Sequence, residues 1–157
     1  MNYYILENDK IILFDTDKER LELTLEFTPQ YAGLEIQETA RNIITFNGGF
    51  YFEDEIQGEL AQAEAERIAK LYLTGADVER GIYQAKGMDF DDILAFVTAN
   101  PPEGLDVKAL KIELKANHFY RGNPYVDAIG TLLGFTKEQL DKFFETNDWT
   151  YLKSEVG

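Results

Sequence analysis

A chain of 157 residues with 45% hydrophobic content is long enough to bury a core, as one compact domain or two small ones. Its 29 acidic and 15 basic residues give a formal charge of −14, a field that repels phosphate backbones and acidic lipid. Cysteine is absent, which excludes disulfides, thiolate metal sites and cysteine nucleophiles and suits a reducing cytoplasm or a virus assembled in one.

No run approaches the roughly 18 apolar residues of a membrane span, so no membrane partner is expected. The N-terminus, MNYYILENDK, lacks the basic-then-apolar order of a signal peptide. The charge is uneven. Residues 1–60 hold 13 acids and 4 bases (−9), residues 61–104 hold 8 and 4 (−4), and residues 105–157 hold 8 and 7 (−1).

In chain order, YYILE (3–7) and KIILF (10–14) flank Asn8-Asp9, a turn of hairpin type. Asp15-Thr16 opens a helix, since Thr16 and Glu19 have capping-box spacing, and Leu21, Leu25 and Phe27 give it an apolar side as far as Pro29. GLEIQE (33–38) and NIITF (42–46) read as further strands, and Asn47-Gly48-Gly49 supplies the positive φ angles of a tight hairpin before FYFE (50–53). These pieces make a small antiparallel sheet with one covering helix.

From Glu59 the period becomes helical. Ala61, Ala65, Ile68 and Tyr72 share one stripe, and Glu66 and Lys70 stand at ion-pair spacing. The expected fold class is α+β: a small sheet unit over 1–57, a connecting helix over 58–74 and a helical bundle over 75–157. Within the bundle, helices are expected near 76–86, 90–99, 107–120, 125–133 and 137–146. Pro101-Pro102-Glu103-Gly104 breaks the chain, and Asp106 caps the helix after it.

The bundle contains a repeat at an offset of 47 residues. Ile82 matches Ile129, Gly87 matches Gly134, Met88 matches Phe135, Asp89 matches Thr136, Ile93 matches Leu140 and Phe96 matches Phe143. In both copies a helix stops at a glycine able to turn left-handed, an apolar residue plugs the corner, and a capping side chain starts the next helix. The result is two helix-turn-helix-like corners.

Such a corner raises DNA binding, but a recognition helix offers Arg, Lys, Asn or Gln near its N-terminus. The first corner offers Asp89, Asp91 and Asp92, which a DNA groove would repel, and the second offers Lys137, Glu138 and Gln139. Capping and the helix dipole account for the acids. A Ser/His/Asp triad would need Ser154 and His118, the only residues of their types, with the serine near the chain end. A metal site would have to be built from carboxylates. Asp15-Thr16-Asp17 lacks the glycine and distal glutamate of a calcium loop, and Glu53-Asp54-Glu55 and Asp89/Asp91/Asp92 read as turn and cap acids. Neither nucleotide-binding glycine pattern is present, and no pair of acids is singled out for hydrolysis. No catalytic residue, metal ligand or cofactor is therefore expected.

Two features point instead to protein contact. Lys108, Lys111 and Lys115 form a basic stripe in an acidic protein, suited to the acidic N-terminal unit or to that unit in a neighbouring copy. The 9 tyrosines suit an interface, because each offers area with a polar tip, and Tyr3, Tyr31, Tyr51, Trp149 and Tyr151 are candidates for exposure. In NHFYRGNPYVDAIG (117–130), Asn117 to Tyr120 are expected to finish a helix with Phe119 in the core. Arg121 then meets the helix dipole, Gly122 terminates it, Asn123 caps the next helix and Pro124 opens it. His118 pairs with a nearby carbonyl or carboxylate, and Tyr120, Arg121 and Tyr125 form an exposed edge.

The hairpin MNYYILENDKIILFD, the charged linker helix, LYLTGADVERGIYQAKGMDFDDI and NHFYRGNPYVDAIGTLLGFTKEQLDKFFETNDW together resemble small prophage-encoded proteins from phage tail and tail-fibre gene regions of bacteria, best over residues 68–150. The resemblance implies a structural or tail-assembly accessory protein, in the host cytoplasm or the virion. Its partners would be tail components or other copies of itself, and it has no catalytic residues to carry over. The alternative is an acidic mimic of DNA that inhibits a host defence nuclease or another nucleic-acid-binding protein.

Overall fold

The computed structural model describes residues 1–153, so Ser154 lies outside the described residues. The protein is α+β and divides into two compact units, Met1–Gln62 and a second from Ala63 onward.

The first unit is an antiparallel sheet of β1 (Asn2–Glu7), β2 (Lys10–Asp15), β3 (Ile36–Thr39), β4 (Ile43–Phe46) and β5 (Gly49–Phe52), in the order β3-β1-β2-β5-β4. Two hairpins set its registers. Asn8 and Asp9 both have positive φ (52° and 62°), as do Asn47 and Gly48 (49° and 79°), matching the twist that two-residue turns require. Ile5, Ile11, Leu21, Ile43 and Ile56 are buried. Tyr4 meets Phe52 edge-on, and Phe14 meets Phe50 in the same way. Arg41 lays its guanidinium 3.8 Å from the Phe52 ring and pairs with Asp54 and Glu55.

The helix α1 (Lys18–Phe27) packs on β1 and β2. Its cap is Asp17 rather than Thr16: the Asp17 carboxylate accepts from the amides of Glu19 and Arg20. Asp15 is engaged elsewhere, accepting from the Asp17 amide and from the Arg20 guanidinium, which holds its carboxyl below the usual range. Leu21 is buried, but Phe27 is 76% exposed, because the helix ends there and the chain turns away at Thr28.

A helix α2 (Gln57–Ala69) follows. The expected connecting helix over 58–74 is too long, since Tyr72–Thr74 is a strand, β6. Of the expected stripe only Ile68 is half-buried, while Ala61 and Ala65 face solvent. The second unit continues with α3 (Gly75–Lys86), α4 (Phe90–Ala99), α5 (Val107–Glu113), β7 (His118–Tyr120), α6 (Pro124–Leu133) and α7 (Lys137–Thr146), then a 3-10 turn at Trp149–Leu152. The expected helix over 107–120 is thus a short helix and a strand. Leu114 still has helical angles, but the chain leaves the helix there, bends at Asn117 and is extended from His118.

Both corners form as the repeat predicts. Gly87 and Gly134 are left-handed (φ 71° and 79°), and Asp89 and Thr136 each complete a capping box, with Asp92 and Gln139. Ile82, Ile129, Ile93, Leu140 and Phe135 are buried together, and Met88 packs against them. The copies diverge at Phe96, which is exposed, and Phe143, which is central to the core. Two further glycines explain how closely the corners pack. A Cβ on Gly81 would run into the Phe143 ring, and one on Gly130 would lie 2.6 Å from Leu140 Cδ1.

Gly81→Ala therefore sets overpacking, about 1–3 kcal/mol, against the roughly 1 kcal/mol by which alanine favours a helix. The Phe143 ring is fully enclosed and has nowhere to move, so a net loss of about 1–2 kcal/mol is expected in urea unfolding. Gly58→Ala, in open space on α2, should leave stability unchanged or slightly raised.

Candidate functional site

The strands β6 and β7 pair antiparallel, with Tyr72 opposite Tyr120, Leu73 opposite Phe119 and Thr74 opposite His118. The two-residue period of strands then sorts the side chains. Leu73 and Phe119 point into the core of the second unit, and Phe119 meets Phe90 edge-on. Tyr72 and Tyr120 stay 57% and 56% exposed. The Tyr72 ring lies 5.6 Å from the His118 ring and 5.7 Å from the Tyr120 ring. Three aromatic rings thus form one exposed patch on a ribbon whose reverse side is buried. His118, expected to satisfy a carbonyl or carboxylate, instead lies on the exposed side against Tyr72.

The ribbon is held at its end by Arg121, the buried charged residue of the described chain. Its backbone amide donates to the Leu71 carbonyl at 2.7 Å, continuing the ribbon. Its side chain is 7% exposed. Nε donates to Asp141 on α7 at 2.7 Å, Nη1 donates to Asp127 on α6 at 2.8 Å, and Nη2 reaches the Lys137 carbonyl at 3.4 Å. This corrects the expectation of an exposed Arg121 at a helix C-terminus: two carboxylates on neighbouring helices draw the guanidinium inward and meet its fork geometry.

Gly122 is also not a left-handed terminator. Its φ is not positive, and its need for small size comes from Ala69, whose Cβ a new Cβ would meet at 3.0 Å. Asn123 does cap α6, accepting from the Tyr125 amide at 3.0 Å, with Pro124 at the first position.

Of the expected edge, only Tyr120 is exposed; Tyr125 is half-buried against the core. Tyr72 joins it, a residue assigned from sequence to a helix stripe. The signal was present in YLT and HFY, each polar–apolar–polar, but three residues are too short for alternation to outweigh a neighbouring helical period. Lys108, Lys111 and Lys115 are all exposed, and none has an ion-pair partner among the described residues. Tyr51 and Tyr151 are exposed, whereas Tyr3, Tyr31 and Trp149 are half-buried.

A polar groove of about 810 Å³ lies between α2, the second corner and the Trp149–Leu152 turn. Three of its four acids are engaged with bases: Glu64 with Arg67, which holds its carboxyl low, Glu145 with Arg67 again, and Asp141 with Arg121, while Glu138 has no ion pair among the described residues. No carboxylate pair there is set apart as acid and base. Among the described residues no three His, Asp or Glu side chains are grouped to hold a metal ion. Compared with protein-family models, with curated proteins and with solved structures, the chain matches none.

Removing Arg121 leaves two carboxylates without their partner and a void where its stem packed. Because Asp127 and Asp141 keep partial access to water, the expected cost of Arg121→Ala is about 2–4 kcal/mol, towards the lower side of buried ion pairs. Thermal and urea unfolding measure it. Arg121→Lys should recover only part, since a point charge cannot serve both carboxylates with the same planar fork.

Proposed function

We propose that this protein works by protein–protein contact as a phage structural or tail-assembly accessory protein, and that the Tyr72/His118/Tyr120 patch is the face it offers to a tail component. The observation that carries this is the patch itself: clustered aromatic rings, exposed, on a ribbon fixed from behind by Leu73, Phe119 and Arg121. Exposed tyrosines fixed in place lose little freedom on binding and offer both apolar area and a hydrogen-bonding tip, the properties of interface anchors. The tail-component identity of the partner rests on the resemblance of residues 68–150 to prophage proteins of tail gene regions.

The experiment is photo-crosslinking from position 120 in bacteria producing phage tails, followed by binding measurements with the captured tail protein. The Tyr72→Ser/Tyr120→Ser variant should bind that protein at least about tenfold more weakly at unchanged melting temperature, because truncating interface anchors costs more than about 1.4 kcal/mol. Tight binding by the variant would overturn the assignment of the face. Capture of a DNA-binding enzyme, released by added DNA, would favour the mimicry reading, for which the −9 charge of residues 1–60 speaks.

A further inference from the structure

Two helix faces elsewhere on the chain complement each other. On α1, Glu19, Leu23, Glu26 and Phe27 fall at i, i+4, i+7 and i+8, one continuous stripe, with Glu22 beside it. Leu23 is 53% and Phe27 76% exposed. On and just beyond α5, Lys108, Ile112 and Lys115 fall at i, i+4 and i+7, with Lys111 beside them, and Ile112 is 71% exposed. Each stripe thus sets bare apolar side chains among charges of one sign, acidic on α1 and basic on α5. Neither the three glutamates nor the three lysines have an ion-pair partner among the described residues. Charge that served only to keep a surface soluble would not need large apolar residues at its centre. An apolar centre with a charged rim is the layout of a contact face.

We infer that the occupant of each face is the other face on a second copy of the chain, so that the protein self-associates through α1 of one copy and α5 of its partner. A partner for α1 must be basic with an apolar centre, and α5 has that chemistry; the reverse holds for α5. A second copy of the chain supplies both a basic face for α1 and an acidic face for α5. Isolated surface ion pairs contribute little, so attachment comes from covering Leu23, Phe27 and Ile112, and the charges select which faces meet. Self-association goes beyond the proposed tail-component contact and uses a different surface, so either can fail without the other.

The test is sedimentation equilibrium of the full chain and of two charge-reversed variants: K108E/K111E/K115E and E19K/E22K/E26K. All six side chains are exposed, and circular dichroism verifies that both variants fold. The natural chain should form dimers, loosened at least about tenfold as salt rises from about 0.01 M to about 1 M and the screening length falls from about 30 Å to about 3 Å. Each variant alone should be monomeric, because like charges then face each other. An equimolar mixture of the two should form dimers again, since α1 and α5 of the pair are complementary in both directions. As a check that leaves every charge in place, F27S/I112S should also be monomeric. A natural chain that stays monomeric at about 0.5 mM, or dimers indifferent to both reversals, would overturn the inference.

Discussion

The second unit depends on one buried guanidinium. Arg121 follows β7 directly, and its three donating groups reach α6, α7 and the carbonyl of Lys137. An arginine is taken out of water only where its fork is met, and the two aspartates come from different helices, so the pairing is possible in one arrangement of those helices. The bond therefore acts less as a source of net stability than as a specification of geometry. It fixes where the ribbon ends and which way its outer face looks. The exposed rings of Tyr72, His118 and Tyr120 inherit that placement.

Behind the ribbon, the core is built twice from one design. Each corner joins a left-handed glycine, an apolar plug and a capping box, and each packs a helical glycine against a large side chain of the second corner's last helix, α7. Gly81 admits Phe143 and Gly130 admits Leu140, so α7 lies close to both α3 and α6. The divergence at Phe96 follows from position. Its counterpart Phe143 is enclosed by α3 and the Trp149–Leu152 turn, while Phe96 lies on an outer side of α4.

What was legible in the sequence was the local punctuation. Asn8-Asp9, Asn47-Gly48, Gly87, Gly134, Asp89, Thr136, Asp106 and Asn123 each do locally what their side chains or missing Cβ dictate, and they were readable for that reason. The misreadings arose where a distant residue decided the outcome. His118 to Tyr120 are a strand because Tyr72 to Thr74 lie alongside, 44 residues earlier in the chain at the closest pairing, Thr74 with His118. Gly122 is small because of Ala69, and Arg121 is buried because of Asp127 and Asp141. The shift of the α1 cap from Thr16 to Asp17 is a smaller and purely local case, in which the Asp17 carboxylate itself accepts the Glu19 and Arg20 amides.

The proposed contact face is only as good as the rigidity behind it, and that rigidity is assigned to Arg121. Hydrogen–deuterium exchange of the natural chain and of Arg121→Ala tests the link directly. Amides of the ribbon at 72–74 and 118–122 should exchange as slowly as those of α3 and α7 in the natural chain. In the variant they should be released first, while β4 and β5 in the first unit keep their protection. Ribbon amides that remain equally protected without Arg121 would contradict the role given to it.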